Sequence, residues 1–272
     1  MAAVRHLHLT VKPLTFPLIR TVIMVDALAP MDNEVREKLL KVSTATLATS
    51  LFKRGLRSQF MQGVQRLTKS DIKLVGPAYT LRYIPAREDI DVIEVFRDTR
   101  HPQRLAVETI PAGHVLVMDC RGDASAASAG SILLTRMMIR GVAGVVTDGG
   151  IRDSDNISTF ALPTYCAARS APTNLTKHHA VDLNVPVGCG TVAVFPGDIL
   201  VGDGDGVIVI PAEIAAEVAE QAVQQERIEE FLAAEIAAGK PLAGIYPPNA
   251  DTLERYRRAS EMGDAETGTA AI

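Results

Sequence analysis

The chain has no tryptophan among its 272 residues, and aromatic residues make up only 4% of it. A core so poor in rings must be built from Val, Ile, Leu and Ala, and the 47% hydrophobic fraction supplies them. Cysteine is equally sparse. Cys120, Cys166 and Cys189 lie far apart with no CxxC spacing. An odd, scattered set argues against a disulfide frame and for core thiols in a reducing, cytoplasmic setting. The N-terminus has no signal-peptide layout, because Arg20 and Asp26 interrupt its apolar part. No run of about 18 apolar residues occurs, so no membrane span is expected. Basic residues are scattered and the net charge is −4, which gives no electrostatic footprint for nucleic acid. GxGxxG and GxxxxGK are both absent, which excludes a dinucleotide or P-loop site.

What is present centres on Val145–Asp153, VVTDGGIRD. The valines read as a buried strand, and Gly149-Gly150 read as a turn that lets a ligand approach the main chain. Arg152 then offers a planar fork for a carboxylate, and Asp153 a hard oxygen for Mg²⁺ or Mn²⁺. The alternative is an ordinary strand-to-helix turn in which Asp153 caps a helix and Arg152 is solvated. Upstream, His114–Cys120 reads as a buried strand. Ala124–Gly130 is a small-residue loop, and a helix follows with Ile132, Leu133, Met137 and Ile139 on its apolar face, stopped by Gly141. Strand, helix and the next strand at Val142–Thr147 make a βαβ unit. Its helix start would present free N–H groups to an anion such as a carboxylate.

The remaining chain divides into an N-terminal arm (1–35), an α/β core (36–212) and a C-terminal helix and tail (213–272). Pro13, Pro17 and Pro30 punctuate the arm, and Arg20–Val25 is a strand candidate. Residues 34–56 read as helical with a break at Ser43-Thr44 and a stop at Gly55. Leu74–Tyr83 reads as a strand with an irregularity at Gly76-Pro77, and Ile90–Phe96 as a short amphipathic helix. Ser154–Ala161 reads as a short helix, Pro163–Ala167 as a strand and 168–180 as loop. Adjacent His178 and His179 point apart on any regular element, which argues against a shared metal. Val181–Val194 is rich in β-formers. Ile199–Val201 and Val207–Ile210 pair around the Asp203–Gly206 turn, which explains Asp203 and Asp205 without a metal, though either could bind one. Pro211 opens a helix that could run unbroken to Ala238, about 39 Å, long enough for part of it to pack on another subunit. The tail from Asn249 reads as loosely ordered.

The chain resembles the RraA-like family, which holds 4-hydroxy-4-methyl-2-oxoglutarate aldolases and the RraA regulators of ribonuclease E. The resemblance rests on VGPAYTL at 75–81, VMDCRGD at 117–123, AGSILLTRMMIRGVAGVVTDGGIRD at 129–153 and NVPVGCGTVAVFPGDILVGDGDGVIVIP at 184–211. It implies an α/β sandwich with a swivelling β/β/α core, assembled as a homotrimer or homohexamer with sites between subunits. It implies a divalent-metal-dependent lyase that cleaves a 2-oxo acid to pyruvate, with oxaloacetate decarboxylation as a side activity. Backbone amides at Gly130, Ser131, Ile132 and Leu133 would bind pyruvate together with Arg152, and Asp153 would bind the metal. Arg152 and Asp153 are then the catalytic pair. One position departs from the aldolases. They carry an acid directly after the glycine, where this chain has Ser131, and Asp123 on the adjoining loop is the candidate substitute. That departure keeps open a non-enzymatic ribonuclease regulator. A metal-dependent hydrolase or dehydratase of a sugar-derived 2-oxo acid is a further alternative.

Overall fold

The computed structural model describes residues 29–268, with side chains to residue 261. The arm's strand candidate at Arg20–Val25 lies outside the described residues. Helix α1 (Asn33–Leu40) is started by Asp32, whose carboxylate accepts from the amides of Glu34 and Val35. Helix α2 (Thr44–Lys53) is started by Ser43, which accepts from the Thr46 amide, so the expected break is a capped helix start. Next come strands β1 (Gln65–Arg66) and β2 (Leu74–Pro85), a 3₁₀ turn at Ile93–Arg97, α3 (Pro102–Thr109), β3 (Val115–Asp119) and β4 (Ala127–Ala129). Then follow α4 (Ser131–Ile139), β5 (Gly144–Ile151), α5 (Ser154–Ile157), β6 (Thr164–Arg169) and β7 (His178–Leu183). The chain continues through β8 (Val187–Cys189), β9 (Val192–Val194), β10 (Ile199–Gly202), β11 (Val207–Ile210), α6 (Ala215–Ala237) and α7 (Ala250–Gly268).

Nine strands form one mixed sheet in the order β1-β6-β5-β3-β2-β10-β11, with β4 added on β5 and β7 on β2. Strands β2, β3, β5 and β6 run parallel, and the expected βαβ unit is β3-α4-β5. Residues 59–66 tie the two ends of the sheet. Phe60 bridges Ile208 on β11, while Gln65 and Arg66 pair with β6, so the sheet curls towards a barrel.

Alternation along the central strands sends their side chains into two cores. Leu116 and Met118 of β3 and Val145 of β5 join the helix-covered cluster. Val115 and Val117, with Val146 beside them, join a second cluster under the β8-β9 hairpin. A third cluster packs β10 and β11 against α1, α2 and α6. Each fully buried aliphatic side chain contributes about 1.5–3 kcal/mol, so a ring-poor composition still suffices.

Several expectations are corrected. Gly149 and Gly150 lie inside β5 and do not form a turn. A Cβ on Gly149 would sit 2.6 Å from Cys120 Sγ, and one on Gly150 2.5 Å from Ser170 Cβ, so these glycines admit neighbouring protein and not a ligand. On α4 the inward residues are Leu134 and Met137, whereas Ile132 and Ile139 are 79% and 71% exposed. Gly76 and Pro77 pair in register with β10, and the irregularity falls at Arg82/Tyr83 against β7. The stretch 168–180 holds the end of β6, a 3₁₀ turn at Asn174–Thr176 and the start of β7, with His178 buried. Pro211 leads a 3₁₀ turn, and α6 proper begins at Ala215. The tail expected to be loose from Asn249 forms α7. Its first turn is set by Asn249, which accepts from the Thr252 amide, and Arg255 reaches Glu235 of α6 at 3.1 Å.

Candidate functional site

The register of β4 on β5 builds the site. Ala129 is aligned with Ile151, so the residues that follow, Gly130 and Arg152, leave the sheet side by side. The Arg152 amide donates to the Ala129 carbonyl at 3.2 Å and fixes the pair. Gly130 caps α4 in extended backbone and offers no side chain. Its Cβ position is already filled: a methyl there would lie 2.9 Å from Arg152 Cγ, Arg152 Nε and Asp153 Oδ2. Gly130 therefore leaves the room in which the Arg152 and Asp153 side chains come together.

Asp153 adopts a left-handed backbone, φ 58°, which aspartate tolerates better than most residues. Such conformations collect at functional sites, where the surroundings hold them. Asp153 is the N-cap residue of α5, where its carbonyl accepts from the Ile157 amide, but its side chain makes no capping bond to that helix. Its Oδ2 instead accepts from the Ser131 amide at 3.0 Å and from Ser131 Oγ at 2.9 Å. Those two bonds, with the Arg152 charge adding to them, hold the Asp153 carboxyl below the usual carboxylate range. Arg152 Nε stands 3.9 Å from the same oxygen, and both side chains are partly exposed.

A cleft of about 150 Å³ opens here, and Gly130, Ile132, Leu133, Arg152 and Asp153 all line it. Ser131 meets the cleft only through its bonds to Asp153, so its amide is already engaged. Asp123 does not line it; its carboxylate closes a local turn on the Ser125 amide and hydroxyl. The opposite wall carried no expectation. Phe96, Gln103 and Arg104 reach it from the β2–β3 connection, and Thr173 and Asn174 from the β6–β7 connection. Pro102 in the first turn of α3 and the buried spacing Gln103, Ala106, Val107 were readable signals of that helix.

Both Ser131 bonds converge on Oδ2, so among the described residues no donor is recorded on Asp153 Oδ1. One hard carboxylate oxygen at an open cleft fits Mg²⁺ or Mn²⁺, which are commonly held by one or two carboxylates with waters and substrate oxygens. Among the described residues no three His, Cys, Asp or Glu gather into a cage, and His178, His179, Asp203 and Asp205 supply none. Both Asp203 oxygens are engaged, by Thr44 and by the Asp205 amide. Cys120 and Cys189 are buried and their thiols are pushed up by burial, Cys120 to about 12, which opposes formation of a reactive thiolate.

The mixed α/β sheet curled on itself is a fold shared with solved RraA-family structures. The family model described as RraA-like, Aldolase/RraA, matches residues 44–209, and the chain belongs to that family. A Halalkalibacterium halodurans protein named "Putative 4-hydroxy-4-methyl-2-oxoglutarate aldolase" is 33% identical over 148 residues, 54% of this chain and 64% of that one. Protein DlpA of Legionella pneumophila is 24% identical over 206 residues, 76% of this chain and 32% of that protein. The match thus spans under two thirds of either relative. The crystal structure of Streptomyces coelicolor RraAS2, titled an unusual member of the RNase ES inhibitor RraA protein family, is similar at 31% identity and TM-score 0.66. It covers 75% of this chain and 97% of that one. Among the described residues no helix is long and apolar enough to cross a membrane.

Proposed function

We propose that the cleft cleaves a 2-oxo acid to pyruvate, with Asp153 holding Mg²⁺ or Mn²⁺ and Arg152 holding the substrate carboxylate. The observation that supports this reading is the meeting of Gly130, Arg152 and Asp153 within one small opening. Arg152 offers its fork to the carboxylate, and the exposed start of α4 adds the amides of Ile132 and Leu133. When bound at Asp153, the cation supplies Lewis-acid stabilisation to the oxygen that gains charge. In aldol cleavage the C3–C4 bond of a 4-hydroxy-2-oxo acid breaks, and its electron pair stays on C3 as the enolate of pyruvate. The 4-hydroxyl loses its proton as its carbon becomes a carbonyl, and C3 gains one. Loss of CO₂ from oxaloacetate leaves the same enolate, so decarboxylation is the expected side activity.

Preorganised charge partners of this kind are worth about 10²–10³ in rate. Arg152→Ala and Asp153→Ala are each expected to lower pyruvate formation by at least that factor in a magnesium-supplemented coupled assay. Wild-type rates in both variants would overturn the reading. The ribonuclease-regulator reading is favoured by one feature, Ser131 in the acid position, where it occupies Asp153 Oδ2. Capture of a ribonuclease together with no turnover across a panel of 2-oxo acids, sugar-derived ones included, would select it.

A further inference from the structure

The cleft holds a second arginine that the pair at 152–153 does not account for. Arg104 lies on α3, directly after Gln103. Gln103 is buried and donates to the Ser128 carbonyl of β4 at 2.6 Å, which fastens α3 to the strand that ends at Gly130. The Arg104 guanidinium lies 4.3 Å from the centroid of the Phe96 ring, and His101 meets that ring edge-on at 5.4 Å. Phe96 is thus held on two sides and keeps the fork of Arg104 in one orientation. Among the described residues Arg104 forms no ion pair with a carboxylate; Glu108, one turn along α3, is paired with Arg136. The charged lining of the cleft is two guanidiniums, Arg104 and Arg152, against the single carboxylate of Asp153. Burial and the like charge of Arg152 both oppose the charge on Arg104, although its base strength leaves it cationic. An arginine held partly buried, stacked, in no ion pair and beside the like charge of another arginine is an unfilled half of a pairing. Beside it, Asn174 is 4% exposed with its Nδ2 unpartnered, while its Oδ1 accepts from Thr173 Oγ1.

We infer that Arg104 is the specificity-determining residue for the far end of the substrate, which carries a second anionic group. This rests on the 2-oxo acid reading above: Arg152 takes the carboxylate next to the keto group, and Arg104 takes a terminal carboxylate or phosphate. A neutral polyol tail would leave the Arg104 charge unanswered, so sugar-derived acids without a terminal anion are the disfavoured class.

The test is titration calorimetry on the full chain in magnesium buffer, with pyruvate, 2-oxoglutarate, 4-phosphono-2-oxobutanoate and glutarate. Wild type is expected to bind 2-oxoglutarate or the phosphonate at least tenfold tighter than pyruvate, and the tighter of the two identifies the anion. Arg104→Ala and Arg104→Gln are expected to abolish that advantage and leave pyruvate affinity within threefold. Arg104→Lys should restore part of it, and Phe96→Leu should weaken it. Equal affinities in wild type, or equal losses for pyruvate and 2-oxoglutarate in the variants, would overturn the inference. Arg104-dependent binding of glutarate without any binding of pyruvate would uphold Arg104 as an anion subsite and remove the 2-oxo acid reading instead.

Discussion

At the scale of single residues, Gly130 is the most constrained position of the cleft. A Cβ there would lie 2.9 Å from atoms of both Arg152 and Asp153, and those side chains, being partly exposed, would give way before the backbone does. Gly130→Ala is therefore expected to fold with a near-wild-type melting temperature. Displacing reacting groups by about 1 Å can cost 10²-fold, and that is the loss of pyruvate formation expected from the variant. Retained activity would show that Arg152 and Asp153 need not stay where they are. The Arg-Asp pair was legible in the sequence because its members adjoin in a short motif whose chemistry is local. Arg104 was not legible. It enters the cleft from a connection about fifty residues earlier, and only the packing of α3 on β4 brings it to Arg152. The glycines show the same limit. Gly149-Gly150 drew attention as a pair, but the need for a missing side chain at Gly130 is set by a strand register that no local pattern displays.

Among the elements, the turn into β10 carries the clearest dependence on pH. Asp198 is buried and accepts from the amides of Phe195 and Ala212. Burial, only partly offset by those bonds, pushes its carboxyl up from 3.8 to about 6. A raised carboxyl binds its proton more tightly in the folded chain than in the unfolded one. Its contribution to stability is thus most favourable below pH 4, falls as pH rises from 4 to 6, and is fully unfavourable above that. Asp198→Asn cannot ionise. Its melting temperature relative to wild type is expected to rise between pH 4 and pH 7, and a constant difference across that range would refute the shift. Most elements were readable because hydrophobic period and turn chemistry agree, as in the β10-β11 hairpin, where the Asp203 carboxylate additionally anchors Thr44 of α2. Helix α7 was missed because its composition is charged and helix formation there depends on α6. Phe231 meets Tyr256 at 5.6 Å, and Glu235 pairs with Arg255. Helices without a strong apolar stripe take much of their stability from such tertiary contacts.

For the whole molecule, the outward face of α4 is the feature a single chain leaves unexplained. Ile132 and Ile139 are seven residues apart, hence on one face of the helix; both are largely exposed, and Ile132 lines the cleft. Isolated exposed isoleucines are ordinary, but a pair on one face of a helix that starts at a site is where a neighbouring chain would gain by burial. Family resemblance points the same way, since it implies trimers or hexamers with sites between subunits. Sedimentation equilibrium is therefore expected to give three or six times the 29.1 kDa chain mass. Ile139→Asp, which places a charge on that face about two turns from Gly130, is expected to shift the mass towards one chain and to lower pyruvate formation with it. A variant that dissociates yet keeps full activity would show that one chain completes the cleft alone. A wild type that sediments as a monomer would mean that the isoleucine face needs no partner.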